Sequence, residues 1–151
     1  MEERNEQKDL LISGTAADGF LRLIGAETTS VVDAARKIHC TSPTATAALG
    51  RVLTGAILMS KEMKNDTDRL TLQVKGRGAI GVAGELNGVF VKGYAENPHA
   101  DLPLRETDGK LDVGGLVGKG FLSVIMDLGL KEPYTGSVPL LSGEIAEDLS
   151  Y

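Results

Sequence analysis

The chain has 151 residues, 42% hydrophobic and 25% charged, with a formal net charge of −5 and one cysteine. That length is one domain with room for a real core. The acidic balance and an aromatic content of only 4%, with no Trp, argue against a broad basic nucleic-acid face and a base-stacking platform.

A lone cysteine forms no internal disulfide and fits a reducing cytoplasm. No segment reaches the roughly 18 apolar residues of a membrane span. The polar start MEERNEQKD leads into no signal peptide.

Asp9 to Ser13 and Phe20 to Gly25 read as two strands, joined by a hairpin turn at Thr15-Ala16-Ala17-Asp18-Gly19. Thr29 to Cys40 repeats Val31, Val32, Ala35 and Ile38 at helical spacing, with Ser30 as the expected N-cap and Asp33 toward the positive end of the dipole. Ser42-Pro43 opens a second helix, a capping residue followed by Pro at the first position, running to about Met63. Ala45, Leu49, Val52, Ala56, Met59 and Met63 form one stripe. Ala48, Leu53, Ile57 and Leu58 widen it until most sides are apolar, as in a buried helix. Gly50 and Gly55 weaken that helix by propensity, so close approach of a neighbour is expected there.

Arg69 to Lys75 alternates, with Leu70, Leu72 and Val74 on one face and Arg69, Thr71, Gln73 and Lys75 on the other. Gly76-Arg77-Gly78 turns the chain into a strand from Ala79 to Leu86, with Ile80, Val82 and Leu86 on the core face. Asn87-Gly88 signals a hairpin, and Val89 to Ala95 returns, completing a three-stranded meander. A polar loop spans Glu96 to Asp108, Asp112 to Gly118 is a short helical turn, and Phe121 to Met126 is another strand. Pro133-Tyr134-Thr135-Gly136 reads as a turn, Ser137 to Leu141 as a short strand, and Ser142 as the cap of a helix carrying Ile145, Ala146 and Leu149. That helix has no stop signal, which is the expectation of a fragment boundary and of a domain, 1–151, truncated at its C-terminal end. The predicted fold is α+β: an antiparallel sheet packed on a buried central helix plus a second helix.

Catalytic motifs are weak. Gly76 to Gly81 spells G-x-G-x-x-G, but a dinucleotide site needs a helix after it, and the residues that follow read as a strand. Gly114 to Gly120 lacks the P-loop positions at Val113 and Gly120. His39 and Cys40 are helix neighbours that do not face each other, so Cys40 is expected as a helix-end thiol packed against the core, with His39 near the helix carbonyls. One Cys with separated His39 and His99 makes no closed zinc set. No catalytic, cofactor-binding or metal residue is assigned. The second face of the meander, with Ala79, Gly81, Ala83, Phe90 and Tyr94, is more apolar than a fully solvated face. Two readings stand: it packs against another part of the domain such as the strand at Phe121, or it is a binding surface that a lid covers.

Five segments carry a family resemblance: Ser42 to Arg51 (SPTATAALGR), Asp68 to Gly76 (DRLTLQVKG), Gly93 to Pro103 (GYAENPHADLP), Lys110 to Gly120 (KLDVGGLVGKG) and Lys131 to Leu149 (KEPYTGSVPLLSGEIAEDL). In these the chain resembles the heat shock protein 33 family, bacterial redox-regulated chaperones. The resemblance implies the N-terminal chaperone core, an ATP-independent holdase of the stress response that binds unfolding client proteins and prevents their aggregation. It implies a homodimer; cytoplasmic localisation, no enzymatic reaction, and neither nucleic-acid nor membrane partners are expected from the residues themselves. Zinc is expected only in the family's C-terminal domain, whose C-x-C and C-x-x-C cysteines this chain lacks. With Ala79, Gly81, Ala83, Phe90 and Tyr94 as the expected client surface, the alternative is a small nucleotide- or anion-binding enzyme using the Gly-rich turns.

Overall fold

The structure, a computed structural model, describes residues 9–76, 78, 81–87 and 90–151, with the backbone alone for residues 62 and 81–87. In chain order run β1 (Leu10–Ala16), β2 (Leu21–Glu27), α1 (Thr29–His39), α2 (Pro43–Met59), β3 (Arg69–Gly76), β4 (Gly81–Asn87), β5 (Phe90–Ala95), α3 (Val113–Val117), β6 (Gly120–Asp127), β7 (Tyr134–Pro139) and α4 (Ala146–Leu149). Strands β1 and β2 form a separate antiparallel ribbon; the other five make one antiparallel sheet in the order β5-β4-β3-β6-β7. The expected α+β class holds. The expected meander is its β3-β4-β5 part. Ala79, Ile80, Gly88 and Val89 lie outside the described residues.

The core follows from two periodicities. Every second residue of β3, namely Leu70, Leu72 and Val74, is fully buried. Against them α2 lays Ala45, Ala48, Leu49, Val52, Leu53 and Ala56. Each Leu or Val buried there contributes about 1.5–3 kcal/mol. Gly50 and Gly55 do serve close approach. A Cβ at Gly50 would lie 2.9 Å from Val32 Cγ1 of α1, and one at Gly55 would lie 2.6 Å from Leu149 Cδ1.

Ser42 caps α2 as expected, its hydroxyl accepting the Ala45 N–H at 3.3 Å. Thr44 and Asp101 tie the same helix start to the 97–103 loop, which also supplies the Ala100 carbonyl to the Ser42 hydroxyl.

Several boundaries differ from the sequence expectation. Helix α2 ends at Met59 and tightens into one 3₁₀ turn at Ser60–Glu62 rather than continuing to Met63. Ser30 is not the cap of α1. Asp9 is: its carboxylate takes the Ser30 and Val31 N–H groups at 2.8 and 2.7 Å. A carboxylate at a helix N-terminus gains from both the open donors and the dipole. The ribbon strands are longer than expected and the turn narrower, with Asp18 at φ 53°. Tyr134, Thr135 and Gly136 belong to β7, paired with Met126, Ile125 and Val124, and not to a turn.

The helix expected from Ser142 starts only at Ala146. Upstream of it, the Asp148 carboxylate takes the N–H groups of Leu141, Ser142 and Ile145 at 2.7, 3.1 and 2.9 Å. Those side-chain bonds replace the helical ladder there.

Candidate functional site: the outer face of the sheet

Antiparallel register puts directly opposed residues on one face. Opposite the core face, β3 presents Arg69, Thr71, Gln73 and Lys75, and β6 presents Phe121, Ser123 and Ile125 in line with them. Phe90, Lys92 and Tyr94 of β5 share this face, opposite Asn87, Glu85 and Ala83 of β4. Phe90 is 78% exposed and Tyr94 52%. Gly81 sits opposite Lys75, and Ala83 bridges Gln73 and Tyr94 in register. The structure therefore brings four of the five predicted residues onto one face; Ala79 lies outside the described residues.

The packing reading placed the Phe121 strand over this face. It is corrected: β6 extends the sheet beside β3, and Phe121 joins the face, 56% exposed. Phe121 and Ile125 are members that the sequence reading missed. The alternation Phe121-Leu122-Ser123-Val124-Ile125 was the signal that could have found them.

The Gly-rich turns have a steric explanation. A Cβ at Gly76 would lie 1.8 Å from the Val117 carbonyl oxygen, and one at Gly120 would lie 2.0 Å from that of Lys75. Gly78 donates its N–H to Val117 at 2.9 Å. After Gly81 comes strand β4, so no helix N-terminus is presented to a phosphate. Gly114 donates to Glu144, whose carboxylate also meets Arg51 at 2.5 Å and Arg105 at 3.0 Å.

Cys40 is exposed rather than packed on the core. It holds a left-handed conformation, φ 51°, beyond the end of α1, which turns its thiol outward, donating weakly to the Lys37 carbonyl at 3.7 Å. Ile38 is likewise exposed, off the buried stripe expected of α1. Among the described residues, no three His, Cys, Asp or Glu side chains stand together as a metal would need.

The carboxylate shifts have structural causes. Backbone N–H of Asn65 holds Asp68 below the usual range, the Thr44 hydroxyl does so for Asp101, and Arg105 for Asp108. Lys37 and Arg36 hold down Asp33 from the next turn of its own helix. On the side of α2 away from the sheet runs an open apolar groove of about 650 Å³, lined by Val32, Ala47, Gly50, Leu58, Leu111 and Leu149 among others.

The Hsp33 protein family model matches residues 9–151. The 33 kDa chaperonin of Clostridium perfringens is 53% identical over 146 residues, covering 95% of this chain and 46% of that protein. The 33 kDa chaperonin of Acetivibrio thermocellus is 49% identical over 146 residues, covering 95% and 49%. The crystal structure of the 33 kDa chaperonin of Thermotoga maritima superposes with a TM-score of 0.87 at 45% identity, over 92% of this chain and 48% of that one. The chain thus spans about half the length of the relatives it matches. With a family model spanning the described core and half-identical relatives along nearly all of its length, the chain belongs to the Hsp33 family.

Proposed function

We propose that this chain is the N-terminal core of an ATP-independent holdase, which binds unfolding proteins through apolar surface and carries out no reaction of its own. One observation supports the client surface: three aromatic rings, Phe90, Tyr94 and Phe121, stand more than half exposed on one sheet face. Aromatic side chains of this kind are common anchors of binding surfaces. The family and its chaperonin-named relatives support the activity. The enzyme alternative asked for a helix after Gly81, and that position opens a strand. No described helix is long and apolar enough to cross a membrane.

In the longer relatives a further segment could add redox control through zinc. Cys40, the single cysteine in these 151 residues, cannot by itself hold zinc or close a disulfide. The test is aggregation of a heat-unfolded client, followed by light scattering without ATP or oxidant. The parent chain suppresses scattering, and the Phe90→Ser, Tyr94→Ser double variant suppresses it less while keeping its circular dichroism. Full suppression by the folded double variant would remove this face from the reading.

A further inference from the structure

Residues 141–150 pass over α2 in a conformation that a β-branched residue avoids. Ile145 has φ 63° and ψ −53°, and the Ala146 N–H reaches back to the Glu144 carbonyl at 2.6 Å. That is a γ-turn of the rare, strained sense. Strain of this kind persists only where the surroundings over-determine it.

The surroundings do so through side chains. Ile145 is fully buried. Asp148 gathers the three N–H groups described above. The Glu144 carboxylate is pinned by Arg51, Arg105 and the Gly114 N–H. Leu149 fills the space that Gly55 leaves open. The strain is released once those anchors let go, and the segment lies outside the sheet ladder, so it can open as a unit without unfolding the sheet. Ala146, Leu149 and Ser150 form one wall of the groove beside α2, so opening would remove that wall. It would also uncover Ile145 and the part of α2 around Gly55.

We propose that residues 141–150 are a releasable clasp, which opens as one unit and adds the apolar surface beneath it to the client-binding surface. The second half of this proposal rests on the holdase reading.

Native-state hydrogen exchange on the whole chain tests the clasp without any client. The amides of Leu141, Ser142, Ile145 and Leu149 are expected to exchange together, about 100-fold faster than those of Leu72 and Val74. Arg51→Gln is expected to speed them about tenfold more and leave β3 unchanged. Leu149→Ala loosens the same clasp without touching the ion pair, is expected to act in the same direction, and serves if the first variant does not fold. Clasp amides that exchange at the rate of β3 would overturn the proposal.

In the scattering assay the loosened variant should reach half-suppression at about a tenth of the parent's concentration, as a tenfold gain in the binding-competent open form requires. Faster exchange with unchanged suppression would overturn the link to clients. If neither protein suppresses aggregation, the holdase reading and that link fall together, while the exchange rates still decide whether the clasp opens.

Discussion

Asp9 caps a helix that begins some twenty residues later: its Oδ2 accepts the Val31 N–H at 2.7 Å across a separation of 22 positions. The bond fastens the ribbon to α1. Asp9→Ala should therefore cost about 1 kcal/mol and lower the thermal midpoint by about 2–4 °C. Asp9→Asn, which keeps an acceptor, should recover most of the loss in the same melting experiment.

Two glycines should respond in opposite ways to one added methyl group. Gly76→Ala drives a Cβ into the backbone of Val117, which cannot move aside as a side chain would. The expected cost is at least about 3 kcal/mol. Gly14→Ala meets nothing within 4 Å, so it should be neutral or stabilising, by up to about 1 kcal/mol. Urea midpoints at unchanged m-value distinguish the pair. Equal effects would refute the steric account of the Gly76 turn.

At Ile145 the usual ranking of alanine over glycine should invert. Both Ile145→Ala and Ile145→Gly lose the buried side chain, but only Gly adopts φ 63° without a Cβ penalty. The Gly variant should be the more stable by about 1–2 kcal/mol, read from paired denaturant curves. An Ala variant as stable as the Gly variant would mean that the γ-turn stores no strain.

Acid should weaken the fold through identifiable groups. Asp68, Asp101 and Asp108 are each held below the ordinary value of 3.8. The folded state then binds fewer protons than the unfolded one around and below that value. Their contribution is complete above the unfolded pKa and is lost as pH falls through the depressed folded values. The urea midpoint should hold from about pH 6 to 5 and decline below about pH 4. Asp68→Asn should flatten the decline. A parent midpoint that stays constant down to about pH 2 would contradict this account.

Peroxide should not switch the chain on reversibly. Cys40 is exposed and has no second cysteine in this chain to join. Oxidation can carry it to a sulfenic or higher acid or link two copies through it, but cannot close a disulfide within these 151 residues. The prediction is unchanged client suppression by the Cys40→Ser variant, with and without peroxide, in the scattering assay. A peroxide response that disappears in Cys40→Ser would establish a sensor at this thiol.

The regular parts of this fold were legible because their signals are local. Strand β3 announces its two faces by alternation, and α2 its start by Ser42-Pro43. The outer-face aromatics Phe90 and Tyr94 were found by parity within one strand. Phe121 was misplaced for a different reason. Parity identifies which side of a strand a residue occupies, but not whether that strand lies beside another or over it. The Asp9 cap was missed because its donors are remote in sequence. The helix at Ser142 was over-extended because Asp148 satisfies Leu141, Ser142 and Ile145 from its own side chain, and propensity does not register that competition.

The alternation of β3 also bears on how this protein can change over time. Leu70, Leu72 and Val74 hold the fold, and the residues between them face outward. Point substitutions at Thr71 or Gln73 can therefore retune the outer face while the core stays intact, so lineages are free to drift in what they bind. Insertion of a single residue has no such freedom. It would transpose the two faces of the strand, sending the leucines to solvent and the polar set inward. Within this strand, divergence should proceed by replacement and almost never by changes of length.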